Sequence, residues 1–277
     1  MFDDVLIAVD GSECARRAAK HGFELAARYD AEATVVTVYG GADERGRAVL
    51  DETAALATDV GVPVESELLS GKPASTIAGR AADGGADLVV VGRQGRSGVA
   101  KRILGSVTER LLRRSDVPVL TVPAGDIEDD TGADYGTVLA TTDGSEVAER
   151  VAPYGADIAR RFGATLHALS VVDIQAEAGV FNAGGVGKEF VERLETRGRQ
   201  AVDDLVDGID TADFEVRTSV VRGTAHDAIA DYVDDEGVDL LVMSSEGQTN
   251  LAGQQLGTVT GRVLRSVDRP VLVVTGD

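Results

Sequence analysis

The chain has little cysteine and no long apolar segment, and both shortages exclude classes of protein. Its single cysteine, Cys14, rules out an intramolecular disulfide and a metal site made of several thiolates. No apolar run approaches the roughly 18 residues that cross a bilayer, and acidic Asp3 and Asp4 stand where a signal peptide would be basic. We therefore expect a cytoplasmic protein without a membrane anchor.

Positive charge is also scarce. The 277 residues include 27 basic and 47 acidic side chains, and the net charge of −20 repels nucleic acids and anionic lipids, so neither is expected as a partner. Only four of the basic residues are lysine. At molar salt the Debye length falls to about 3 Å, so crowded carboxylates no longer repel one another strongly. This composition favours a halophilic source over an ordinary acidic protein.

Two segments of the sequence occur twice. VLIAVDGSE at residues 5–13 returns as VLATTDGSE at 138–146, and LGSVTERLLRRSDVPVLTV at 104–122 returns as LGTVTGRVLRSVDRPVLVV at 256–274. The chain therefore contains two copies of one domain in tandem. The spacing between paired segments grows by 19 residues, which indicates an insertion in the second copy. The predicted division is a first domain at 1–124, a linker at 125–134, and a second domain at 135–277 with the insertion near 173–190.

Each copy alternates short apolar runs with longer alanine-rich segments. Such alternation is typical of an α/β domain in which helices cover both faces of a parallel sheet. In these sheets, ligands bind beyond the carboxyl ends of the strands, where the strand order reverses. The first copy has five predicted strands, at residues 5–9, 34–38, 64–69, 88–91 and 117–122.

A glycine-rich segment follows the fourth predicted strand. Glycines allow backbone N–H groups to approach an anion, and the start of the next helix adds further donors. The alternative is an ordinary loop, because residues 106–109 also form a capping box. No Walker A motif occurs, and no G-x-G-x-x-G follows the first strand. Residues 92–108 contain no acidic residue. They contain four basic residues, which are Arg93, Arg96, Lys101 and Arg102.

The spacing Gly92-2x-Gly95-9x-Gly105-Ser106 resembles the G-2x-G-9x-G-[S/T] signature of ATP-binding universal stress proteins, and the resemblance extends over both copies. It implies two doubly wound domains, each with strand order 3-2-1-4-5. It also implies ATP, with Mg²⁺ accompanying its phosphates, between the ends of the first and fourth strands. The expected ligand contacts are Asp10, Val38, Gly92, Arg93, Gly95, Gly105, Ser106 and Val107. For Asp10, the alternative is a carboxylate that caps the following helix.

The second copy departs from this signature. Ser244 replaces the first glycine, and Glu246 is the only charged residue between Ser244 and Thr260. A carboxylate would repel a triphosphate, so we expect the second site to bind ATP weakly, to bind another ligand or to serve only structure. The residues of this weaker site are Asp143, Val171, Ser244, Gly247, Gly257 and Thr258.

The favoured function is nucleotide-dependent regulation of a stress response. No catalytic arrangement is visible in the sequence, and His21, His167 and His226 lack the spacing of metal ligands. A slow ATPase or phosphotransfer protein, and an interaction scaffold that binds no nucleotide, remain as alternatives. The resemblance also implies that the two copies pair through their last strands as an internal pseudo-dimer, while a protein partner and further homo-oligomers stay open.

Overall fold

The computed structural model of the chain describes residues 1–40, 43–95, 103–125, 132–178, 187–247 and 256–275. The chain forms two compact units, Met1–Asp134 together with Asp268–Asp277, and Tyr135–Val267. Several sequence predictions fall outside the described residues. They concern Arg96, Lys101 and Arg102, linker residues 126–131, and insertion residues 179–186.

A parallel sheet forms the centre of the first unit. Its strands are β1 (Asp4–Ala8), β2 (Glu32–Val38), β3 (Val64–Leu69), β4 (Leu88–Gly92) and β5 (Val119–Val122). Their order is β3-β2-β1-β4-β5, which confirms the prediction for the first copy. The helices of this unit are α1 (Glu13–Tyr29), α2 (Asp43–Thr58), α3 (Pro73–Gly84) and α4 (Ser106–Leu112).

The sequence of each strand reflects its position in this sheet. β4 reads LVVVG and is buried along its whole length, as expected for an inner strand of a parallel sheet. β3 reads VESELL and lies at the edge, where Glu65 is exposed. The order reverses between β1 and β4, because β1 connects to β2 on one side and pairs with β4 on the other. A crevice therefore opens beyond the carboxyl ends of these two strands.

The C-terminal strand, β10 (Val271–Val274), belongs to the first unit. It pairs antiparallel with β5, and Leu272 lies opposite Leu120. Thr275 strengthens this pairing, since its hydroxyl donates a hydrogen bond to the carbonyl of Val117 at 2.7 Å. The last strand of the second sequence copy thus covers the backbone groups that β5 would otherwise expose at a sheet edge.

The second unit repeats the arrangement of the first four strands. β6 (Thr137–Thr142), β7 (Thr165–Val172), β8 (Val216–Arg222) and β9 (Leu240–Ser244) are parallel, in the order β9-β6-β7-β8. Both units use one aspartate in the same way: Asp87 accepts hydrogen bonds from the backbone at the start of β1, and Asp239 does so at the start of β6. The helices are α5 (Glu146–Glu149), α6 (Val151–Phe162), α7 (Ile174–Ala178), α8 (Lys188–Asp207), α9 (Ala225–Asp235) and α10 (Thr258–Ser266).

The first helical segment of the second unit differs from α1. It is divided at Arg150 into α5 and α6, whereas α1 runs without interruption over 17 residues. Pro153 explains the division, because its ring lacks an N–H group and clashes with the carbonyl four residues earlier in a continuous helix. Lys20 occupies the corresponding position of the uninterrupted α1, and unlike proline it has a backbone N–H group. The short α7 lies within the predicted insertion.

A buried histidine lies in the sheet of the second unit. His167 on β7 is 2% exposed, and its Nδ1 lies 3.0 Å from the hydroxyl of Tyr232 on α9. That hydroxyl is also 3.2 Å from the hydroxyl of Ser219 on β8. Burial lowers the pKa of His167 from its ordinary value of 6.5, and burial raises the pKa of Tyr232.

We predict that His167 makes the protein less stable in mild acid. Because its pKa is lower in the folded than in the unfolded state, the unfolded chain takes up a proton first, and stability falls as pH drops below 6.5 towards the folded pKa. Urea unfolding at about pH 7.5 and about pH 5.5 should show a loss for the wild type that is smaller in His167→Phe by up to about 1.4 kcal/mol. Tyr232→Phe should lose as much stability between the two pH values as the wild type, since burial is the main cause of the lowered pKa of His167. An equal pH dependence in wild type and His167→Phe would contradict the assignment.

Candidate functional site

A cavity of about 450 Å³ lies at the carboxyl ends of β1 and β4 in the first unit. Seven of the eight residues predicted as ligand contacts line it, and the exception is Arg93. Residues up to 97 positions apart in the sequence therefore meet at one site, as the strand reversal requires. The seven are Asp10, Val38, Gly92, Gly95, Gly105, Ser106 and Val107.

Asp10 is held at the cavity by the turn that follows β1. Its Oδ1 accepts a hydrogen bond from the Ser12 N–H group at 2.9 Å. Its Oδ2 faces Gly95, where an added Cβ would lie 2.8 Å away. The N-cap of α1 is Ser12, whose hydroxyl accepts from the Ala15 N–H group at 3.2 Å. The Asp10 carboxylate thus orders the turn and reaches the glycine loop, while the serine caps the helix.

Gly92 allows α1 to approach β4 closely. A Cβ at this position would lie 2.9 Å from the carbonyl carbon of Cys14 and 3.0 Å from the backbone nitrogen of Ala15. Two hydrogen bonds then close the loop over residues 92–108. The Thr108 hydroxyl donates to the Gly92 carbonyl at 2.9 Å, and the Gly105 N–H group donates to the Arg93 carbonyl at 2.8 Å. These contacts bring the start of α4 to the cavity wall.

Arg93 points away from the cavity. It is 2% exposed, and its Nη2 donates a hydrogen bond to the carbonyl of Arg269 at 2.7 Å. Burial lowers the pKa of this guanidinium to about 10, so it stays charged at neutral pH. Its backbone belongs to the glycine loop as predicted, but its side chain extends toward the segment before β10. In the described part of the wall, Asp10 is the only charged residue.

Sequence reasoning missed several residues of the wall. Gln94 is buried, and its Oε1 accepts a hydrogen bond from the Ala124 N–H group at 2.9 Å, which anchors the glycine loop to the end of β5. Pro73 and Ile77 lie one turn apart on α3 and face the same cavity. Their spacing was a usable signal, whereas no local pattern marks Gln94. The remaining missed residues are Ala8, Val9, Ala15, Tyr39, Gly40, Val91 and Thr108.

The second unit has a corresponding cavity of about 330 Å³. Its loop is closed like the first, because the Thr260 hydroxyl donates to the Ser244 carbonyl at 2.9 Å. The Ser244 hydroxyl donates to the Glu246 carbonyl and so is used within the loop. A Cβ on Gly247 would lie 2.6 Å from Asp143 Oδ2, which repeats the contact between Gly95 and Asp10. All six predicted residues line this cavity: Asp143, Val171, Ser244, Gly247, Gly257 and Thr258.

The two cavities differ in charge at one corresponding position. Gln94 of the first loop is matched in the repeat by Glu246 of the second, and both line their cavities. Glu246 is partly exposed, and no described residue forms an ion pair with its carboxylate. Among the described residues that line the cavities, the second therefore has two acidic residues, Asp143 and Glu246, where the first has Asp10 alone.

The sequence profile of the Universal stress protein family matches residues 1–54, 39–123 and 134–275. The chain belongs to the universal stress protein family. The matches extend over both copies, so the chain is a tandem member with two family domains.

Relatives and solved structures agree with this assignment. A universal stress protein of Mycobacterium tuberculosis is 30% identical over 244 residues, which cover 83% of this chain and 77% of the relative. Another, of Methanocaldococcus jannaschii, is 31% identical over 140 residues, which cover 50% of this chain and 82% of the relative. The crystal structure of a universal stress protein from Archaeoglobus fulgidus superposes with a TM-score of 0.70, over 99% of this chain and 97% of that chain, at 22% identity. This last likeness shows the shared fold.

No helix among the described residues is both long and apolar enough to cross a bilayer. Within the same part of the chain, no cluster of three or more His, Cys, Asp or Glu residues is placed to hold a metal ion.

We predict that Gly92→Ala destabilises the protein. The added methyl group would meet the backbone of α1, which cannot rotate away as a side chain can, so overpacking should cost about 1–3 kcal/mol in the free energy of urea unfolding. Gly79→Ala is the matched control, because Gly79 is exposed on α3 with no atom within 4 Å of an added Cβ. There the change should stabilise by up to about 1 kcal/mol. Similar effects of the two substitutions would contradict the close approach of α1 to β4.

Proposed function

We propose that the first unit binds ATP in its cavity, and that ATP occupancy makes this universal stress protein a nucleotide-dependent regulator of a stress response. The observation that carries the proposal is the convergence of seven residues, expected from the resemblance to one family, on a single cavity at the strand reversal. One fold can host many functions, so the function follows from the residues of the site and not from the fold alone.

The adenine would occupy the apolar side of the cavity. Val38 lies at the end of β2, Ile77 on α3 and Val91 on β4, and all three line the cavity. Transfer of the flat faces of a base from water to such a surface is favourable. The backbone at Val38 offers hydrogen-bonding groups to the base, and Asp10 offers a carboxylate that can accept from ribose hydroxyls.

The phosphates would lie along the glycine loop. Gly95 and Gly105 expose backbone at the cavity wall, and Ser106 adds a hydroxyl donor. The sequence that joins Gly95 to Ile103 contains three cations and no acid, which reduces the cost of bringing a triphosphate to an acidic protein. Mg²⁺ would accompany the phosphates in the usual way.

We propose binding in preference to rapid turnover. Hydrolysis needs a group that positions or deprotonates the attacking water. Asp10 is the charged side chain of the described wall, and one of its carboxylate oxygens already accepts the Ser12 N–H group. A slow ATPase remains a weaker alternative.

Ser106→Glu should weaken ATP binding by at least about tenfold. The exposed side chain at position 106 lines the cavity, so a carboxylate there would repel the phosphates, while the start of a helix tolerates negative charge. Ser106→Gln has the same length without the charge and should bind ATP more tightly than Ser106→Glu. Calorimetry with Mg²⁺ at about 0.15 M and about 2 M KCl measures both, the difference between the two variants should be larger at the lower salt, and melting temperatures check folding.

Two results would count against this assignment. Equal affinities of Ser106→Glu and Ser106→Gln would place the phosphates elsewhere. A wild-type chain that binds no nucleotide would favour the scaffold function, in which the glycine loops serve only structure.

We also propose a high-salt cytoplasm as the working environment. The net charge of −20 and the scarcity of lysine support it, since molar salt screens the repulsion among surface carboxylates. Pairing of the two copies as an internal pseudo-dimer is proposed as well, supported by the antiparallel pairing of β10 with β5 inside the first unit.

A further inference from the structure

We infer that the second cavity binds an uncharged purine nucleoside and rejects its phosphorylated forms. The inference rests on the proposed function in one respect, because it assumes that the apolar side of the first cavity receives adenine. It adds a second ligand, of a different charge, at a site on the other unit.

The apolar side of the second cavity is retained. Val171 at the end of β7 corresponds in the repeat to Val38, and Ile229 on α9 corresponds to Ile77. Met243 on β9 takes the place of Val91 and is buried. The apolar surface proposed to bind a flat base in the first unit is therefore present in the second, where its side chains are also apolar.

The polar side of the second cavity is acidic. Glu246 and Asp143 both line it, and no described lysine, arginine or histidine does. The described residues of the loop supply no compensation, since Glu246 is the only charged residue among 244–247 and 256–261. The site therefore accepts hydrogen bonds and repels anions.

A nucleoside matches this chemistry and a nucleotide does not. Ribose hydroxyls and an exocyclic amine donate hydrogen bonds, which carboxylates accept. Phosphate oxygens are acceptors with negative charge, so the Glu246 carboxylate would be desolvated against them without a partner. The smaller volume, about 330 Å³ against about 450 Å³ in the first cavity, also suits the smaller ligand.

Equilibrium dialysis of the full chain with labelled adenosine and labelled ATP tests this inference. We expect about two adenosine molecules per chain, of which saturating ATP displaces one, and about one ATP. Thr258→Trp should abolish the adenosine that ATP does not displace, because the exposed Thr258 lines the second cavity. Ser106→Trp, its counterpart in the first unit, should abolish ATP binding and leave the ATP-resistant adenosine.

The charge at position 246 gives the second arm of the test. Glu246→Gln keeps a hydrogen-bond acceptor but removes the repulsion, so ATP binding at the second site should strengthen by at least about tenfold while adenosine binding changes by less than about threefold. The reciprocal Gln94→Glu should weaken ATP binding at the first site by at least about tenfold.

The outcomes separate this inference from the proposed function. Two equivalent ATP sites in the wild type, or adenosine that ATP displaces completely, would overturn the nucleoside site and leave ATP binding in the first unit intact. ATP-resistant adenosine without any ATP binding would support the second site and overturn the first. Binding of neither ligand would overturn both.

Discussion

The close approach of α1 to β4 at Gly92 is the constraint on which the first site depends. Since the backbone of Cys14 and Ala15 occupies the space of a side chain, β4 can end against the first turn of α1 only at a glycine. The hydrogen-bonded ladder holds β1 beside β4, and the contact at Gly92 places the first turn of α1 against the end of β4. The loop then returns to the same place, because Thr108 donates to the Gly92 carbonyl. A cavity results at the ends of the two strands, and Gly92, Gly95 and Gly105 contribute backbone to its wall.

The second unit shows which parts of this arrangement are necessary. Ser244 stands where the first unit has Gly92, yet the threonine bond that closes the loop has the same length in both units. The contact between the strand-exit aspartate and the second glycine is also repeated, by Gly95 with Asp10 and by Gly247 with Asp143. Loop closure and the aspartate turn therefore persist without the first glycine. The charge of the wall is free to change around this frame.

Much of the fold could be predicted because the sequence repeats. The two repeated segments indicate tandem domains, and the family resemblance implies the strand order that the first unit has. Side-chain direction in the loop was beyond such reasoning, because Arg93 follows the buried end of β4 and turns to a carbonyl 176 residues away. Gln94 depends similarly on Ala124, at the end of another strand. The division of the helical segment at Arg150 could have been predicted, since Pro153 is a local signal.

The two proposals together assign different ligands to one fold, through a shared apolar side and a different polar side. The free energy of burying a base depends on the apolar area removed from water. The second unit keeps Val171 and Ile229 in the positions of Val38 and Ile77. Discrimination between a nucleoside and a nucleotide depends on charge. Two unit charges about 4 Å apart interact by about 4 kcal/mol at an effective dielectric of 20. The proposed difference in ligand therefore rests on a single change, from the amide of Gln94 to the carboxylate of Glu246.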